Sequence, residues 1–88
     1  MKEVSVTIVN RLGMHARPAA LFVKTADRYR SQIWVLKDEL EVNGKSIMGV
    51  MMLAAEPGSS LRIKAEGPDE AEALEALGRL VADKFNED

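Results

Sequence analysis

The stretch Ser60-Leu61-Arg62-Ile63-Lys64-Ala65-Glu66 alternates without a break, with Leu61, Ile63 and Ala65 apolar and Arg62, Lys64 and Glu66 charged. Successive side chains of a strand point to opposite faces, so this segment buries one face and wets the other. A sheet of that kind is antiparallel and covered on a single side. The strand therefore restricts the chain to two layers, helices over one face of an antiparallel sheet. At 88 residues, 47% of them apolar, the chain is long enough for one core and reads as one domain over residues 1–88.

The other segments fit that frame. Val4-Ser5-Val6-Thr7-Ile8-Val9 alternates, with Val4, Val6 and Ile8 on one face. A helix over about residues 16–28 carries Ala19, Phe22, Val23 and Ala26 toward the core and leaves Arg17, Ala20, Leu21 and Lys24 outside. The run from Gln32 to Lys37 is rich in β-formers and apolar on both faces, as an interior strand is. A short strand follows with Leu40 and Val42 inward, closed by the turn signal Asn43-Gly44.

Ser46 then stands as N-cap, a role worth about 1 kcal/mol over Ala, to a helix over residues 47–55 that is apolar all round. Such a helix is either buried outright or packs Val50, Leu53 and Ala54 inward, with some of Ile47, Met48, Met51 and Met52 outside. So small a domain has little protein to cover it, which favours the second reading, and exposed methionines suit adaptable binding surfaces. The last helix opens at Gly67-Pro68-Asp69-Glu70, with Pro68 at its first position, acids on a solvated face, and a buried stripe of Ala73, Leu74, Leu77, Val81 and Phe85. The order is βαββαβα: an α+β fold with a four-stranded antiparallel sheet and three helices on one face.

The chemistry gathers at Gly13-Met14-His15-Ala16-Arg17-Pro18-Ala19-Ala20. His15 is the chain's one histidine, placed on a strand-to-helix turn at or beside the N-cap. Pro18 fits the first helical turn, where its missing N–H breaks no bond. The free N–H groups of that turn, from Ala16 and Arg17, and the positive end of the helix dipole form an anion site. Arg17 adds a forked donor matched to phosphate oxygens. A neutral imidazole is a competent nucleophile, and a positive surrounding favours the neutral form.

A histidine on a loop commonly does nothing beyond hydrogen bonding. Here, however, His is a poor N-cap, and Arg17 in a first turn opposes the dipole at a cost of about 0.3–1 kcal/mol. Two locally unfavourable choices side by side point to a site, one where a histidine accepts a phosphoryl group and passes it on. Leu21 and Ala20, rimmed by Arg17 and Lys24, make an apolar spot where a phosphate-bearing partner would dock.

Composition bounds the remaining classes. Without cysteine there is no disulfide framework or thiolate site, and with one histidine no metal site is expected. A net charge of −2 and few aromatics lack the footprint of a nucleic-acid binder. The sequence enters a strand directly, with no signal peptide and no apolar run long enough to cross a bilayer, so a cytoplasmic protein is expected.

These residues resemble the histidine-containing phosphocarrier family (HPr) of the bacterial phosphoenolpyruvate-dependent phosphotransferase system. Gly13-Met14-His15-Ala16-Arg17-Pro18-Ala19 is similar to its active-site signature, and Gly44-Lys45-Ser46-Ile47-Met48-Gly49-Val50-Met51 to its regulatory-serine region. The resemblance implies an open-faced β-sandwich. It also implies a carrier that takes a phosphoryl group from enzyme I on His15 Nδ1 and gives it to enzyme IIA components, with Arg17 assisting. Such a carrier is not a stand-alone turnover enzyme; it is expected to need no cofactor and to act as a monomer in sugar uptake. Ser46 matches the serine modified by an HPr kinase/phosphorylase, although by itself it is just an N-cap. Ala20, Leu21, Lys24, Ile47, Met48 and Met51 would form the partner surface. A nitrogen-regulatory phosphocarrier of the same family shares this chemistry. From a different class, a non-catalytic ferredoxin-like ligand-sensing module shares the βαββαβ order.

Overall fold

The computed structural model describes residues 1–87. Its elements are β1 (Lys2–Thr7), α1 (Ala16–Ala26), β2 (Gln32–Lys37), β3 (Leu40–Asn43), α2 (Ile47–Met52), β4 (Ser60–Glu66), α3 (Glu70–Ala82) and a terminal short turn, Lys84–Asn86. The four strands form one sheet in the order β1-β4-β2-β3, every neighbour antiparallel. β4 is paired on both sides, with Ile63 opposite Val4 on one flank and Val35 on the other. Its Leu61, Ile63 and Ala65 are buried together with Ile33 and Val35 of β2, while Arg62 stays exposed. The open sheet with three helices is the architecture expected from that alternation.

The helices bury the stripes their spacing calls for. α1 buries Pro18, Ala19, Phe22, Val23 and Ala26, and α3 buries Ala73, Leu74, Leu77 and Val81. α3 packs on β1 and β4, and α1 packs against both α2 and α3. α2 buries Val50 alone of its six residues, so the fully buried alternative for this helix is set aside.

Several boundaries differ from expectation, each for a local reason. β1 ends at Thr7 instead of continuing to Val9, because Ile8 turns to bond the loop before β4: its N–H donates to Ser59 O, and its carbonyl accepts from Gly58. α1 stops at Ala26 and α2 at Met52, where Ala54 takes a left-handed φ of 49°. Leu40 does not point inward; it lies on the edge strand β3, 41% exposed. Pro68 falls outside α3, whose N-cap is Asp69. Phe85 is buried as expected but not on the helix: Lys84, Phe85 and Asn86 all hold left-handed φ, at 60°, 55° and 61°.

Asp69 is not part of a solvated face either. Its carboxylate accepts from the hydroxyl of Ser31 at 2.6 Å, the Ser31 N–H at 3.0 Å and the Arg30 N–H at 2.9 Å, tying the start of α3 to the entry of β2. The Ser31 hydroxyl first, and then the Arg30 N–H, hold the Asp69 carboxyl below its usual value. A carboxyl with a depressed folded-state value contributes stability that is complete above its unfolded value and is lost as pH falls through the folded one. Asp69→Asn is therefore expected to melt several degrees below the parent at pH 7, with the gap closing in acid below the ordinary aspartate range. Thermal melts followed by circular dichroism at pH 7 and pH 3 check this.

Candidate functional site

Eight residues separate β1 from α1, and the way that loop is pinned decides where His15 stands. Gly13 has φ 72°, and a Cβ there would lie 2.5 Å from the carbonyl oxygen of Ala55. Only glycine allows the loop to lie this close to the segment after α2. Met14, buried, donates its N–H to the same Ala55 oxygen at 2.8 Å. The chain is thus held on both sides of one peptide, and the next residue, His15, emerges as the N-cap of α1 with extended backbone, φ −88° and ψ −170°.

His15 does not cap the helix with its side chain. The first intrahelical donor is Ala19, to the His15 carbonyl, and Pro18 has no N–H. That leaves the N–H groups of Ala16 and Arg17 as the orphan donors of the first turn. The ring is 38% exposed. His15, Arg17, Arg11, Leu12 and Glu87 line one cleft. Two guanidinium groups beside an imidazole at a helix N-terminus suit a tetrahedral oxyanion.

Glu87 and Asn10 are the members that sequence reasoning missed. His15 Nε2 lies 3.2 Å from Glu87 Oε2, and the same carboxylate oxygen accepts from Asn10 Nδ2 at 3.0 Å. Asn10 is wholly buried and also donates to the Gly13 carbonyl at 2.7 Å. Both of its neighbours are acceptors, which settles the orientation of its amide. The Asn10 amide first, and His15 second, hold the Glu87 carboxyl below its usual value. A carboxylate can only accept, so Nε2 carries the proton and Nδ1 the lone pair, a tautomer assigned from this hydrogen bonding. Nδ1 is then the ring nitrogen chemically able to act as a nucleophile.

The sequence does carry one signal for Asn10: a polar residue in line with the apolar positions at the end of a strand. Glu87 carries none, since its partners lie 72 and 77 residues away.

The other expected site residues divide. Ser46 is the N-cap of α2, its hydroxyl accepting the Gly49 N–H at 3.0 Å. Ile47, Met48 and Met51 are exposed at 45%, 77% and 42%, and Met52 joins them at 65%. Ala20 and Lys24 are exposed on α1. Leu21 differs from expectation: it is half-buried against the core and lines a groove with Leu80, Asp83 and Asn86 near the end of α3, away from the His15 cleft. Its helical position lies one turn beyond Arg17, on nearly the same face of α1. Leu12, 65% exposed, is the apolar residue that lines the cleft with His15. Among the described residues no group of three or more His, Cys, Asp or Glu is placed to hold a metal ion, and no helix is long and apolar enough to cross a membrane.

Comparison with known proteins places this geometry. Residues 2–83 match the family model described as the PTS HPr component phosphorylation site. The phosphocarrier protein HPr of Treponema pallidum is 52% identical over 84 residues, 96% of each chain. The crystal structure of HPr-C-His from Thermoanaerobacter tengcongensis superposes with a TM-score of 0.96 at 55% identity, covering 100% of this chain and 99% of that one. A crystal structure of an HPr dimer from the same organism matches at 0.80 and 55% identity, over 99% of this chain and all of that one. The carrier family is thereby favoured over a ferredoxin-like sensing module. The chain belongs to the HPr phosphocarrier family of the phosphotransferase system.

Proposed function

We propose that this chain, acting as a single domain in the cytoplasm, carries a phosphoryl group on His15 from phospho-enzyme I to enzyme IIA components in sugar uptake. One observation carries the reading: a solvent-reachable imidazole at the start of α1, its Nε2 occupied by a carboxylate and its Nδ1 left with the lone pair, in a cleft shared with two arginines. Nδ1 attacks phosphorus in line with the donor's leaving atom. The Ala16 and Arg17 N–H groups and the Arg17 guanidinium receive the equatorial oxygens, where charge gathers in the transition state. Leu12, Met48 and Met51, with Ile47, Ala20 and Lys24 around them, give a partner an apolar, basic-rimmed surface on which to close and exclude water. No cofactor enters this chemistry. One copy supplies every group named, so the carrier acts as a monomer; the dimeric assembly belongs to the Thermoanaerobacter protein.

Ser46 is the regulatory position in this reading. A phosphate on its hydroxyl would stand at the start of α2, where the free N–H groups favour an anion, and beside exposed Ile47 and Met48. An HPr kinase/phosphorylase modifying it would leave the fold intact and place negative charge on the docking surface. The nitrogen-regulatory branch of the family shares the His15 chemistry and differs in the proteins that dock.

Incubation with enzyme I and phosphoenolpyruvate should add one acid-labile phosphoryl group by mass spectrometry, and His15→Ala should gain none. A phosphoryl group retained in His15→Ala would overturn the assignment. Arg17→Ala should slow phosphorylation by about 100-fold, the usual cost of losing one oxyanion donor. Arg17→Lys should recover part of that rate, as quenched-flow measurement would show. Ser46→Asp should raise the KM of enzyme I for the carrier by about tenfold, corresponding to about 1.4 kcal/mol of docking free energy. Its melting temperature should be unchanged or higher.

A further inference from the structure

The end of the chain takes an unfavourable path to reach His15. Lys84, Phe85 and Asn86 lie in succession in the left-handed region, which side-chain-bearing residues rarely adopt. Burial of Phe85, 1% exposed, offsets that cost. The result is a Glu87 side chain that is only 14% exposed, fixed by Asn10 Nδ2 at 3.0 Å and set against His15 Nε2 at 3.2 Å. Asn10 in turn holds the Gly13 carbonyl, so the carboxylate is anchored to the loop that carries the imidazole. Among the described residues that line the cleft, Arg11 and Arg17 are cationic and Glu87 is the one acid. An anion in a site built to receive an anion serves the ring, not the phosphate.

The electron count says how. With the proton on Nε2, the Nδ1 lone pair forms the N–P bond while the bond from phosphorus to the donor's leaving atom breaks, its electron pair departing with the donor. The ring keeps its Nε2 proton and becomes a phosphorylated imidazolium with one positive charge. On donation the N–P bond breaks, its pair returns to Nδ1, and the ring is again neutral with the proton on Nε2. Neither half of the cycle requires a proton to enter or leave. Both halves require that the Nε2 proton stay and that the ring's charge have a counter-ion.

We propose that Glu87, held by Asn10, is a positioning residue that keeps the proton on His15 Nε2 through the whole transfer cycle and compensates the charge of the phosphorylated ring. The proposal rests on His15 being the phosphoryl acceptor. Arg11 and Arg17 then answer the phosphoryl oxygens while Glu87 answers the imidazolium, which divides the cleft into two charge-matched halves.

The test uses the full chain and two variants, Glu87→Gln, which keeps an acceptor oxygen without charge, and Glu87→Ala, which removes both. Ring 15N shifts of the unphosphorylated protein need no enzyme. The parent and Glu87→Gln should show the Nε2–H form alone, and Glu87→Ala should show the Nδ1–H form as well. With enzyme I and phosphoenolpyruvate, the equilibrium for phosphorylation of Glu87→Ala should shift toward the free carrier by about 10-fold, the scale of a partly exposed charge-assisted hydrogen bond. Glu87→Gln should lie between it and the parent, with melting temperatures of all three alike. Parent-like 15N shifts and a parent-like equilibrium in Glu87→Ala would overturn the role of Glu87 and leave the carrier reading standing. A parent chain that gains no phosphoryl group would overturn both.

Discussion

The molecule depends on β4 having one face to bury and two flanks to pair. Because Leu61, Ile63 and Ala65 all point the same way, the helices have a single side on which to lie. Because β4 is central, both chain-distant strands β1 and β2 must come to it. α3 covers β1 and β4, and α1 is left to pack along α3 and α2 with its N-terminus at the margin of the layer. An N-terminus at a margin keeps its orphan donors in water, which is the condition an anion site needs. The exposure of His15 thus follows from the pleat of a strand 45 residues further on.

Local rules made much of this legible in the sequence. A two-residue period marks β4, a 3.6-residue period marks α1 and α3, and Ser46 marks the start of α2 by the chemistry of its hydroxyl. His15 and Arg17 could be singled out because each is a poor choice for the helix position it holds. Long-range geometry was not legible. The helical stripe of α3 runs by spacing straight into Phe85, and nothing local shows that the backbone there changes hand. Glu87 therefore carries no reading from the sequence, and it closes on Asn10 and His15 more than 70 residues away.

Asp69 was misread for a similar reason. An acid at a helix start has a sufficient local explanation in the dipole, and its partners at Arg30 and Ser31 lie across the fold. Spacing places Leu21 on the outer face of α1, and the structure adds that it is half-buried there, packed against the core and lining a groove with Leu80. In each case the local reading identified the residue type and its element, and tertiary packing chose the contact.

The methionines of α2 have a consequence of another kind. Met48, Met51 and Met52 present unbranched thioethers with several freely turning bonds to solvent. A surface of that material has no single relief to match. Material of that kind can adapt to more than one shape of opposing surface, because each side chain re-packs at little cost. The same exposed thioethers are open to peroxide, which would turn each sulfur into a polar sulfoxide and leave the face both less apolar and less pliant.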